Sequence, residues 1–201
     1  MRRTMLLIVA VAATLLLASG VALAVTKTGG PGSDVLRGTG GRDYIKGKGG
    51  DDIIYGLGGN DNSPKLFTTG EIAGGLIGGF GDDIIYGGPG NDDMVGYEGF
   101  IFGSKDRGDD QIYGQQGRDR MDGGFGADIL SGGDGPDFIL DGENRRGSTD
   151  IIYGGDGDDE LNAFNRPGGR DIVNCGDGKD VAIADRKDIL NDCERVRFQN
   201  P

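Results

Sequence analysis

Oxygen ligands for a hard metal ion are the chemistry this chain offers in quantity. Aspartates recur at Asp34, Asp43, Asp52 and Asp61, at Asp83 and Asp92, and at Asp110, Asp119, Asp128 and Asp137, nine residues apart within each block. Asp150, Asp159, Asp171 and Asp180 continue the series. Of these 14, 13 have Gly two residues earlier and 13 have an apolar residue two later. Glycine-rich turns expose backbone carbonyls beside each carboxylate, a setting that suits a cation taking about six to eight oxygen ligands in loose geometry, calcium rather than magnesium. Zinc and copper prefer nitrogen or sulfur, and the chain has no His and two Cys. Composition alone also allows a plain solvating acidic surface.

The elements that position these aspartates are written in the same repeat. Residues 29–37 (GGPGSDVLR), 78–86 (GGFGDDIIY), 87–95 (GGPGNDDMV) and 123–131 (GGFGADILS) read G-G-x-G-x-D-x-U-x, where U is apolar. The first six positions must reverse the chain, which explains glycine at the corners. The last three form a short strand whose middle side chain faces inward while its neighbours face out. Leu36, Ile45, Ile54, Ile85, Met94, Ile112, Met121, Leu130, Ile139, Ile152, Leu161 and Val173 are the expected core. The 18-residue step from Asp92 to Asp110 reads as a whole unit with Ile101 in place of the acid. Steps of 22, 13 and 12 residues read as insertions of four, four and three residues beyond whole units, within 62–82, 138–149 and 160–170.

With 43 Gly in 201 residues and a net charge of −12, the chain is neither an ordinary globular sequence nor a binder of nucleic acid. Met1, Arg2 and Arg3 precede an uncharged apolar run that ends in Ala22, Leu23 and Ala24, the layout of a secretory signal peptide cleaved after Ala24. An uncleaved N-terminal helix is the alternative. Cleavage leaves no membrane span in the mature chain and delivers it, secreted, to a calcium-rich, oxidising exterior, with cell-surface association open. The expected division is a signal peptide over 1–24, a repeat body over 25–183 and a cap over 184–201.

Over nearly all of residues 29–183 the units resemble the hemolysin-type, or RTX, calcium-binding repeats. That resemblance implies an all-β fold, a right-handed parallel β-roll with two nonapeptides per turn. Several Ca2+ ions would lie between turns, held by turn carbonyls and by the sixth-position Asp of alternate repeats. Carried over, the metal ligands are the 14 aspartates above, with Asp34 paired to Asp52, Asp43 to Asp61, Asp92 to Asp110, Asp110 to Asp128 and Asp119 to Asp137. Ions are expected to be missing or weakened at the Ile101 unit and the 62–82 insertion. A two-cysteine ending is also familiar from secreted proteins of this repeat class, and a disulfide between Cys175 and Cys193 would pin the cap over the last coil. Two free thiols are the alternative.

Without His, the Ser-His-Asp, Cys-His and H-E-x-x-H arrangements are not available. The expected function is therefore non-enzymatic: a secreted repeat protein that folds on binding Ca2+ and serves a structural or adhesive role at the cell exterior. A calcium-dependent carbohydrate-binding module, with cell-surface or extracellular glycans as partners, is the alternative. A glycan-processing enzyme built on paired carboxylates stands third. Tyr55, Tyr86, Tyr113 and Tyr153 each end a strand tripeptide and point outward, but their units are unevenly spaced, so ordinary exposed tyrosines are preferred over a sugar-stacking face.

Overall fold

The computed structural model describes residues 23–62, 75–97, 108–141, 148–165 and 169–199. Residues 1–22, most of the expected signal peptide, and Ile101 lie outside them. The described residues form strands, turns and no helix. In chain order the strands are β1 Thr26–Thr28, β2 Val35–Thr39, β3 Tyr44–Gly49, β4 Ile53–Leu57, β5 Leu76–Phe80 and β6 Ile84–Pro89. There follow β7 Asp93–Tyr97, β8 Gln111–Gln116, β9 Arg120–Asp122, β10 Ile129–Asp134, β11 Phe138–Leu140 and β12 Ile151–Asp156. The last are β13 Glu160–Asn162, β14 Ile172–Asp177, β15 Val181–Ala184, β16 Ile189–Asn191 and β17 Arg195–Phe198.

Odd-numbered strands make one sheet of nine and even-numbered strands a second sheet of eight, each in sequence order. Every pairing is parallel, as between β10 and its neighbours β8 and β12. Two strands and two turns thus make one coil, and the coils stack into a parallel β-roll. The main core is a seam between the sheets, about one large side chain per strand, and Ile77, Val95 and Tyr97 form a second, smaller cluster. On the even sheet it runs through Leu36, Ile54, Ile85, Ile112, Leu130, Ile152, Val173 and Leu190. From Ile54 to Val173 that column is fully buried.

The register corrects two readings of the interruptions. Leu76 pairs with Ile45 and is fully buried, so it is the inward residue of the unit that begins at Asp61. It follows Asp61 by 15 residues instead of two, so the 22-residue step is one unit with a long insertion ahead of its strand. Periodicity missed Leu76 because no aspartate stands two residues before it. Second, β7 lies in the odd sheet and β8 in the even sheet, so the two are successive members of the alternation. A whole unit at Ile101 would have put Gln111 and its neighbours in the odd sheet instead. The extra residues are among the ten between Tyr97 and Gly108, which lie outside the described residues.

The chain end continues both sheets: β16 pairs with β14, and β17 with β15. Cys175 on β14 and Cys193, between β16 and β17, form a disulfide with Cα atoms 5.1 Å apart. It ties the last described coil, which carries Leu190 and Val196, to the one before it. Cys175→Ser or a reductant should therefore lower stability by about 3 kcal/mol, the loop-closure value for a span of this size. Denaturant unfolding at saturating calcium, with and without reductant, measures it.

Candidate metal centres

Each coil carries two turns, and the sixth-position acid of every turn stacks on its equivalent one coil away. In each step the backbone N–H of one aspartate donates to a carboxylate oxygen of the next acid in the line, Oδ1 of an aspartate or, at the last odd step, Oε2 of Glu194. Ahead of the even strands the line runs Asp34, Asp52, Asp83, Asp110, Asp128, Asp150 and Asp171, ending at Asp188. Ahead of the odd strands it runs Asp43, Asp61, Asp92, Asp119, Asp137, Asp159 and Asp180, ending at Glu194. The steps from Asp52 to Asp83 and from Asp83 to Asp110, both 2.8 Å, carry the line past both long interruptions without a break.

This geometry corrects one set of expected partners. Asp92 does not pair with Asp110: its N–H donates to Asp119, and Asp110 receives that of Asp83. β7 and β8 lie in different sheets, so Asp92 and Asp110 fall on opposite lines. Asp34 with Asp52, Asp43 with Asp61, Asp110 with Asp128 and Asp119 with Asp137 are stacked as expected.

Thirteen of the 14 aspartates, all but Asp34, are buried. One carboxylate oxygen serves the backbone. The other, Oδ2 of Asp52, Asp61, Asp92, Asp119, Asp128, Asp137, Asp159 and Asp180, is buried with no hydrogen-bond partner. Such a group costs about 1–3 kcal/mol or more unless something else satisfies it. Glycine at the first repeat position leaves room beside it. A Cβ on Gly87 would lie 2.6 Å from Asp92 Oδ2 and 2.9 Å from the carbonyl oxygen of Gly114 in the next coil. An anionic oxygen and a carbonyl oxygen thus converge where only a hydrogen stands. A hard cation with oxygen ligands fits that set.

Burial raises the pKa of several of these aspartates, and the backbone N–H bond only partly opposes it. Asp92 and Asp159 are pushed up to about 6, Asp61, Asp137 and Asp171 to about 7 and Asp119 to about 8. Neighbouring carboxylates in the same line, such as Asp92 beside Asp61, push the same way. Charging these acids in the fold therefore carries a cost that a cation removes.

Three features escaped the sequence reading. Asp188 and Glu194 end the two lines, and their signal was present, since each stands two residues before an apolar residue, Leu190 and Val196. The fifth repeat position forms its own exposed ladder. There the N–H of Asp82 donates to Asp51, that of Asp109 to Asp82, and that of Asn91 to Asn60. Asp141 is the third, buried at a position where the repeat has glycine.

Parallel strands stacked in two sheets, joined by glycine turns that enclose two lines of buried carboxylates, define a calcium-type β-roll. The RTX calcium-binding nonapeptide repeat matches the chain in four copies, over residues 28–62, 76–100, 106–139 and 147–163, more than half of its length. The chain belongs to that family and is a calcium-binding repeat protein. No curated protein and no solved structure matches it.

Proposed function

We propose that the chain is exported by its N-terminal leader, folds outside the cell as Ca2+ enters the two carboxylate lines, and acts there as a structural or adhesive element rather than an enzyme. The ions are held by the 14 sixth-position aspartates with turn carbonyls, and Asp188 and Glu194 close the lines. The observation that carries this reading is the buried, unsatisfied Oδ2 repeated from coil to coil. It recurs along nearly the whole roll, as a folding device does, and is not gathered at one cleft.

The outer face of the even sheet favours a contact role. Val35, Ile53, Ile84, Ile129, Ile151, Ile172 and Ile189 stand in one outward column, interrupted by Gln111. The next column begins Arg37, Tyr55, Tyr86, Tyr113, and insertions had hidden this even spacing. The tyrosine rings stack on one another with centroids 5.2 Å apart, and Arg37 lies 4.2 Å over the free side of Tyr55. Ring faces spent on each other are not platforms for sugars, which weighs against the carbohydrate-binding alternative.

Retention of the tagged, calcium-loaded protein on the surface of the producing cells tests this reading. Binding that is lost in chelator and reduced by Ile84→Lys with Ile151→Lys is expected. Purely intracellular protein, or surface binding indifferent to both treatments, would overturn it.

A further inference from the structure

Asp141 breaks the repeat in a way that builds something. Leu140 pairs with Asp122 on one side and Asn162 on the other, so the residues that follow, Gly123, Asp141 and Ala163, stack in one column. That column is the first glycine position. A Cβ there points at the acid of the turn, since one built on Gly123 would lie 2.9 Å from Asp128 Cγ. Asp141 sends a whole carboxylate in that direction. Asp150 stands nine residues after Asp141, where Asp128 stands five after Gly123.

The carboxylate oxygens of Asp128, Asp141 and Asp150 lie within 4.8 Å of one another, and all three residues are buried. Asp128 and Asp150 already belong to the even line, where their Oδ1 atoms take the N–H groups of Asp110 and Asp128 at 2.8 and 2.7 Å. Asp141 does not belong to it. Its Oδ2 accepts from Asn165 Nδ2 at 3.0 Å. Its Oδ1 and Asp128 Oδ2 are buried without any partner, although Asp141 is only 4 % exposed. Asn165 is itself fixed, since its Nδ2 also donates to Asp171 Oδ2 at 2.9 Å and its Oδ1 accepts from Gly169 N–H at 2.8 Å. The amide therefore locks Asp141 in place while leaving its inner oxygen unsatisfied.

We propose that Asp128, Asp141 and Asp150 form a three-carboxylate site for a divalent cation, distinct in ligand set from the two-aspartate sites of the ordinary turns and tighter than they are. The inference rests on the reading of the lines as calcium sites, and adds a ligand from a position that the repeat reserves for glycine. Affinity of oxygen-ligand sites rises with the number of charged ligands, so this site fills first and empties last.

Terbium luminescence and calcium calorimetry on the full chain test it. Wild type should show one class of site on the order of tenfold tighter than the rest. Asp141→Asn, nearly isosteric, should abolish that class and leave the weaker ions in place, with an unchanged circular dichroism spectrum at saturating calcium. Asp141→Gly, which restores the repeat, should behave likewise. Titrations of both variants that superimpose on wild type would overturn the proposal, while a wild type that binds no calcium would overturn the calcium reading beneath it. Anomalous scattering from terbium-soaked wild-type crystals gives a readout that does not depend on a variant folding. A peak shared by the three carboxylates supports the site, and its absence from otherwise occupied lines refutes it.

Discussion

Stripping calcium at pH 7.5 should abolish the β-sheet signal of this protein, and acidifying the stripped sample to about pH 5 should restore part of it. Stacked carboxylates sit about 5 Å apart, at the strand spacing, and at an effective dielectric of about 20 each ionised pair repels by roughly 3 kcal/mol before screening. The core opposing this is one side chain per strand. Without the cation the two lines therefore oppose the fold that brings them together, and cation binding is folding free energy.

The sign of the pH effect follows from the raised pKa values. Asp61, Asp119 and Asp137 titrate at about 7, 8 and 7 in the fold, well above the ordinary 3.8. The folded chain thus binds protons more tightly than the unfolded one. The metal-free roll accordingly loses stability as pH rises from about 4 through that range and regains it on acidification. Protons and Ca2+ compete for the same oxygens, so the calcium midpoint should move to higher concentration as pH falls from 8 to 6. Far-UV circular dichroism across a calcium and pH matrix measures both effects. An apo spectrum equal to the holo spectrum at pH 7.5, or a midpoint that ignores pH, would sink this account.

The second large effect is steric. Gly117 has φ 135°, and a Cβ there would fall on the carbonyl oxygen of Gly90 in the preceding coil. Gly117→Ala adds backbone strain to overpacking and should destabilise the calcium-loaded protein by about 2–6 kcal/mol. Gly32 holds the same fourth position of its repeat, but in the first coil, and a Cβ there meets nothing within 4 Å. Gly32→Ala should change stability by less than about 0.5 kcal/mol. Denaturant unfolding at saturating calcium compares them. Equal effects would mean that the motif position, not the stacking, sets the need for glycine.

The repeat made most of the roll and its lines legible. A nine-residue interval of Asp and Gly admits few solutions, and it placed Asp34, Asp43 and Asp119 with their correct neighbours. It failed at Asp92, because counting nines cannot tell a whole unit from nine residues added to a turn. Only the alternation of sheets separates those cases. It also passed over Asp188 and Glu194, since the last turns lack the glycine signature while keeping the acid and the apolar residue that follows it.

Residue type and spacing are local properties, and they settle what each unit is: a turn, an acid and a short strand with one side facing in. Which units touch is settled in three dimensions. Stacking puts Leu76 beside Ile45 across an insertion. It holds Lys48, Leu57 and Gln115 at φ values of 92°, 81° and 82°, which their own side chains disfavour. It also carries Asp141 to Asp128 and Asp150, where three ordinary aspartates become a buried cluster. The physical reason is the same in each case. A turn in a solenoid is shaped by the coils above and below it, and their contacts outweigh the preference of any single residue.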